Sequence, residues 1–366
     1  MSEWKVFYDS PEVNPAGTEG FEFLEFTSPE PHALRNLFSM LGFVKVATHK
    51  NKAVELWQQG TAKFIINAEP NSFATLFAKN HGPSVCGMAF RVNDAEAAYE
   101  HCLEQGAKAF AIEEQDWCPS DVPVIFGIGD NMLYLVDSDD FYQREFNFDA
   151  AALKQVKNEI GITHLDHVTH NLFVGNMDEW ATFYGKLFNF TQIRYFDIQG
   201  EHTGLTSRAL RSPCKNICIP LNEPKDEMSQ IKEFTDEYKG EGIQHIALAT
   251  DDIYQTIETL RERGQGFLDT PDTYYRMIED RLPGHNETVD RMQKNKILVD
   301  GEGGKDGKRL LQIFTETEIG PVFFEIIQRK GDEGFGEGNF QALFDSIELD
   351  QIERGYLKVD KQQATQ

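Results

Sequence analysis

Three residues whose types suit a metal ion stand far apart in this chain: His167 in "THLDHVTHN", His245 in "GIQHIAL" and Glu325 in "VFFEIIQ". Two neutral imidazoles and one carboxylate suit a ferrous ion that must keep positions free for substrate and dioxygen. The separations are 78 and 80 residues, so no local motif makes the case. Taken singly, each residue has an ordinary explanation: a core histidine bonded to a backbone carbonyl, or a glutamate on an edge strand facing water. The second explanation fits Glu325 poorly. "VFFEIIQ" is otherwise apolar, and a carboxylate placed there is costly unless a cation meets it.

His167 has neighbours of its own kind, His164 and His170. Strand alternation predicts that these two share one face while His167 points to the other. His167 is then the expected ligand and the other two are bystanders.

The elements that must carry the three residues come from an internal repeat. "GFEFLEFTSPEPHALRNLFSMLGF" parallels "GITHLDHVTHNLFVGNMDEWATFYGKLFNF", and "SVCGMAFRVNDAEAAYEHCLEQGAKAF" parallels "GIQHIALATDDIYQTIETLRERGQGFL". Each segment reads as a strand, an amphipathic helix and a re-entry into a strand, the second pair with an Asp N-cap and a terminating glycine. A third parallel joins "DNMLYLVD" to "GPVFFEIIQ", and "ELWQQG", "KFIINAE", "KNICIPL", "KILVD" and "LLQIF" supply further strands. Two homologous domains are expected, 1–150 and 151–366, with a seam near "DSDDFYQREFNFDAAALKQ". In this alignment Phe26 stands where the second half has His167, Gly87 where it has His245, and Leu135 where it has Glu325. One metal-bearing copy and one vestigial copy would leave that contrast.

Composition sets the surroundings. Sixty acidic against 35 basic residues leave a formal charge of -25, which repels nucleic acid and anionic lipid surfaces. No basic and apolar leader opens the sequence and no window approaches a membrane span, so a cytoplasmic protein is expected. The five cysteines are scattered, and the close pair Cys214 and Cys218 lacks a second pair or histidine for zinc. "DGEGGKDGKR" lacks P-loop spacing and reads as a hairpin turn, and "GFGEGNF" does not sit where a dinucleotide fingerprint must.

"LDHV", "PLNEP", "SQI", "GIQHIAL", "TYY", "ILVD", "LLQIFT", "FFEIIQR" and "GFGEGNFQALF" resemble, in order and spacing, the 4-hydroxyphenylpyruvate dioxygenase family. The resemblance covers nearly the whole second half, and the first half resembles the family's metal-free domain more loosely. It implies an α+β fold of two homologous vicinal-oxygen-chelate domains. Each would have two βαβββ modules forming a half-open barrel, with a C-terminal helix over the active site. It implies one Fe(II) per subunit on His167, His245 and Glu325. It further implies catalytic polar contacts from Ser207, Asn222, Gln244 and Gln312, and a substrate slot shaped by Gln230, Phe314, Phe323, Phe335, Asn339 and Phe340.

The implied reaction takes 4-hydroxyphenylpyruvate and dioxygen to homogentisate and carbon dioxide, in a homo-oligomer, dimer or tetramer. Two alternatives stay open: 4-hydroxymandelate synthase, with the same substrate and metal, and a non-enzymatic chelate-fold binding protein. Phe314 and the intact "GFGEGNF" lean toward ring hydroxylation. "GNFQALFDSIELDQIERGYL" reads as the covering helix.

Overall fold

The computed structural model describes residues 7–114, 116–119, 121–156, 160–199, 204–339 and 342. Its first half contains strands β1 (Thr18–Thr27), β2 (Val44–His49), β3 (Val54–Gln59), β4 (Ala62–Asn67), β5 (Ser84–Val92), β6 (Val124–Phe126), β7 (Met132–Val136) and β8 (Phe146–Phe148). The second half contains β9 (Ile162–Asn171), β10 (Thr191–Gln199), β11 (Gly204–Arg211), β12 (Cys218–Pro224), β13 (Gly242–Thr250), β14 (Leu298–Gly301), β15 (Arg309–Phe314) and β16 (Phe323–Lys330). Each half forms one eight-stranded mixed sheet, in the orders β6-β7-β5-β1-β4-β3-β2-β8 and β10-β11-β12-β9-β13-β16-β15-β14. The expected seam contributes β8 to the edge of the first sheet, beside β2.

The repeat is legible down to its caps. Helix Ala95–Glu104 starts on Asp94, which accepts from the Ala97 N–H, and helix Ile253–Glu262 starts on Asp252, which accepts from Gln255. Capping of this kind satisfies donors that the first turn leaves unpaired. Helix Pro31–Met40 gives way to Gly42 and helix Met177–Phe188 to Asn189, both at positive φ. The second module of the first half departs from four strands, since its strand after the helix survives only as a bridge between Ala109 and Ile125. Both sheets share one apolar core, in which Phe64 meets Phe324 and Phe90 packs against Phe188 and Phe190.

Strand registers correct the sequence alignment in two places. Ala247 of β13 lies opposite His167 on one side and Glu325 on the other, and its counterpart Ala89 of β5 lies opposite Phe23 and Tyr134. The first-half counterparts of the three ligand-type residues are therefore Phe23, Gly87 and Tyr134, not Phe26, Gly87 and Leu135. The two halves share their β-bulges, each of which inserts one residue and reverses the alternation beyond it, so a match of sequence letters alone does not fix which residues are equivalent and the paired register does. Bulges fall at Glu22 and Cys86 in the first half and at the equivalent Asp166 and Gln244 in the second.

The same bulge at Asp166 overturns the expected pairing of the flanking histidines. His164 pairs with Ala249 and His167 with Ala247, positions that share a face, so His164 and His170 do not. His164 is exposed at the start of its strand. His170 is buried behind the sheet, 2.8 Å from the Tyr184 hydroxyl, where burial pulls its imidazole down to about 3.

In the first half the space corresponding to the three ligand-type residues is filled by Glu25 and Tyr134. A Cβ on Gly87 would come within 2.9 Å of the Tyr134 ring and 3.1 Å of the Glu25 carboxyl. Glu25 is fully buried and accepts from Tyr134 at 2.5 Å and Asn67 at 2.7 Å. Burial raises its pKa, and these hydrogen bonds only partly offset that. A carboxyl whose folded pKa is raised contributes stability below its unfolded pKa and loses it as pH rises through the folded value. Glu25→Gln is therefore expected to gain in melting temperature relative to the parent as pH rises above the ordinary carboxylate range. A difference independent of pH would contradict the raised pKa of Glu25.

Candidate active site and metal centre

Seven strands of the second sheet point residues into one cavity of about 310 Å³. The contributors are His167 and Thr169 of β9, Phe196 and Ile198 of β10, Leu205 and Ser207 of β11, Pro220 and Asn222 of β12, Gln244 and His245 of β13, Phe314 of β15, and Phe323 and Glu325 of β16. The spacing of two on β9, β10, β11, β12 and β16 is what a curved sheet with an inward face requires, and the bulge at Gln244 lets the adjacent Gln244 and His245 both face the cavity.

The three ligand-type residues sit together because β9, β13 and β16 are neighbours in the sheet. His167 and Glu325 flank Ala247 from either side, and the small alanine leaves the space between them open. His245 lies two residues back on the same strand. All three donor atoms fall within 4.8 Å of one another. His167 Nε2 is 3.2 Å from Glu325 Oε2, and His245 Nε2 is 3.5 Å from the same oxygen.

The far nitrogens are held from outside. His167 Nδ1–H donates to Asp166 at 2.8 Å, and His245 Nδ1–H donates to Gln244 Oε1 at 3.0 Å. Such partners fix the tautomer and aim each Nε2 lone pair into the site. His245 also stacks on Phe323, with ring centroids 5.0 Å apart.

Electrostatics agree with the geometry. Burial would raise the Glu325 carboxyl, but the two imidazoles outweigh it and hold the group down to about 2. Burial would lower His167, but Glu325 and Asp166 lift it to about 9. His245 stays below its usual value because burial dominates there. An anion and two nitrogens packed within 4.8 Å of one another suit a cation between them. The donor set, the shared opening and the costly burial of Glu325 fit a divalent metal.

The remaining sequence-predicted residues divide. Ser207, Asn222, Gln230, Gln244, Phe314, Phe323 and Phe335 line the cavity. Gln312 and Asn339 stand apart from the lining. Gln312 is buried beneath Gly336, whose Cβ, if present, would be 2.2 Å from its carbonyl oxygen. Asn339 is buried and accepts from the Tyr274 hydroxyl at 2.6 Å, so it anchors the loop that carries Phe335. Phe340 and the expected covering helix beyond it, apart from Ala342, lie outside the described residues, although 337–339 are already helical. Sequence reasoning missed Thr169, whose hydroxyl lies 2.9 Å from His245 Nε2, and Glu337 at the rim. Thr169 has the parity of His167 on the same strand, which was the available signal.

A glyoxalase-like barrel half with a two-histidine, one-carboxylate cluster in its lumen defines a metal-binding member of the glyoxalase and dioxygenase superfamily. Residues 164–277 match the family described as glyoxalase/bleomycin resistance protein/dioxygenase superfamily, and residues 13–167 match that described as hydroxyphenylpyruvate dioxygenase, N-terminal. A 4-hydroxyphenylpyruvate dioxygenase of Legionella pneumophila is 52% identical over 94% of this chain and 98% of its own length. Hemolysin VllY of Vibrio vulnificus is 55% identical over the same shares. The solved structure of a mutant 4-hydroxymandelate synthase from Streptomyces coelicolor is 25% identical and superposes with a TM-score of 0.75 over 91% of this chain and 99% of that one. The chain belongs to the 4-hydroxyphenylpyruvate dioxygenase family.

Proposed function

We propose that this protein converts 4-hydroxyphenylpyruvate and dioxygen to homogentisate and carbon dioxide, using one Fe(II) per subunit held by His167, His245 and Glu325. The observation that carries the reading is the convergence of these three side chains on an aromatic-walled cavity, in a chain about half identical to dioxygenases of that name. When bound, the metal supplies a Lewis acid with positions open to a 2-oxo acid and to dioxygen.

The chain's own residues do the rest. Among the described residues lining the cavity there is no lysine or arginine. The lining therefore offers the substrate carboxylate neutral donors only, and a metal held by His167, His245 and Glu325 would supply the positive charge. Phe323 lies flat against His245, and Phe314 stands edge-on to Phe323 at 6.0 Å, so the two rings form a corner that orients an aromatic substrate. Ser207 and Asn222 face each other across β11 and β12 and offer hydroxyl and amide groups to its oxygens. Gln244 accepts from His245 through its carbonyl oxygen, which leaves its amide free to donate. The apolar walls exclude water from the reacting carbon.

The same reading places a metal-free domain at 1–150 and a catalytic domain at 151–366, in a cytoplasmic dimer or tetramer. Five free cysteines, three of them buried, suit a reducing compartment. No helix among the described residues is long and apolar enough to cross a membrane.

Aerobic incubation of the Fe(II)-loaded protein with 4-hydroxyphenylpyruvate, followed by chromatography, tests the reading. Homogentisate is expected. 4-Hydroxymandelate would transfer the chain to the synthase activity, and the absence of both products with metal bound would remove the proposal.

A further inference from the structure

Arg329, four residues beyond Glu325 on β16, holds two parts of the site at once. Its Nε and Nη2 donate to the two oxygens of Asp166 at 2.7 and 2.8 Å, and Asp166 in turn accepts from His167 Nδ1 at 2.8 Å. Its Nη1 donates to the backbone carbonyls of Asp332 and Gly334 at 3.2 and 2.6 Å. The guanidinium also lies 5.5 Å from the centre of the Phe335 ring. Phe335 packs edge-on to His167 at 5.3 Å and lines both the active cavity and a neighbouring one of about 450 Å³. The four side chains thus form a closed circuit, from Arg329 through Asp166 and His167 to Phe335 and back.

The first half carries the bland version of this arrangement. Its equivalent bulge acid, Glu22, is bound by Lys63, Arg91 and Tyr142. The residue beside it is Phe23, so that acid and its cations secure a bulge and reach no ligand-type side chain. In the second half the bulge acid touches a histidine, and its cation comes from the strand that carries Glu325 and also reaches the Phe335 loop.

We propose that Arg329 is a positioning residue that ties the orientation of the His167 imidazole to the seating of Phe335 over the cavity. The proposal rests on reading His167 as a metal ligand and Phe335 as a substrate-facing wall. A planar guanidinium can grip a carboxylate on both oxygens and still reach a carbonyl, whereas an ammonium acts as a single point charge. Arg329→Lys therefore keeps the charge and removes the span.

The test compares parent and Arg329→Lys by Co(II) calorimetry, by the Co(II) visible spectrum, and by KM and homogentisate formed per dioxygen consumed in the Fe(II) enzyme. Loss of an outer partner of a ligand histidine typically weakens metal affinity about 10- to 100-fold. That weakening is expected here, together with an altered Co(II) spectrum, a raised KM and a lowered homogentisate yield per dioxygen. A variant that melts lower yet matches the parent in Co(II) affinity, spectrum, KM and yield would reduce Arg329 to a bulge anchor and overturn the proposal. Should Arg329→Lys fail to fold, Asp166→Asn and Phe335→Leu are compared singly and together. Effects on KM that do not multiply support the circuit, and effects that multiply within about twofold overturn it. A parent chain that bound no Co(II) would sink the functional reading as well, so the two failures are distinguishable.

Discussion

Glu325→Ala is expected to reduce homogentisate formation about 1,000-fold or more and to leave the purified protein with little bound metal. Lewis-acid stabilisation by a protein-held metal is worth several kcal/mol, and each 1.4 kcal/mol or so is a factor of ten in rate. Glu325 is the only carboxylate within the donor cluster among the described residues, and both histidine Nε2 atoms face its Oε2. Its removal leaves two imidazole nitrogens in the cluster with no carboxylate beside them to offset a divalent charge. The fold should survive, because the side chain lines a cavity and supports no packing layer of its own. Metal content by atomic spectroscopy and product formation by chromatography check this together. Tyr134→Phe, at the equivalent position of the first sheet, is the control and should leave metal content unchanged. Parental metal content and turnover in Glu325→Ala would refute the ligand assignment.

Stripping the metal with a chelator is expected to lower the melting temperature by several degrees, and adding it back should restore the value in a concentration-dependent way. A ligand that binds only the folded state stabilises it by about 4 kcal/mol at a thousand times its Kd. For folded units of this size about 2 to 4 °C accompanies each kcal/mol, so a shift on the order of 10 °C is within reach. His245→Ala should melt independently of added metal. A parent protein whose melting temperature ignored both chelator and metal would argue that the cluster holds no ion.

The glutamate in "VFFEIIQ" could be singled out from the sequence because a carboxylate in an apolar strand is anomalous whatever its neighbours. His245 could be singled out because the repeat places Gly87 at the matching position, and the register confirms that match. For His167 the sequence alignment names Phe26 as the counterpart, whereas the register names Phe23, which lies opposite Ala89 as His167 lies opposite Ala247. Strict alternation likewise failed for His164 and His170, because a bulge is a property of two paired strands and leaves little trace in either one alone. Asn339 read as a pocket residue, and the structure assigns its amide to Tyr274 instead. Its partner lies 65 residues away, so no local pattern could announce it.

Residue type and periodicity were available from the chain alone, and they determine the repeat, the inward faces of the strands and the kind of ion that three conspicuous residues would suit. Which side chains meet was decided only by tertiary structure. The pairing of β13 with β9 and β16 brings His167, His245 and Glu325 around Ala247, and the bulge at Asp166 lets one residue face Arg329 while the next faces the metal site. Those contacts depend on register between strands about 80 residues apart in sequence, which is set by the hydrogen-bonded ladder and the packing of a shared core.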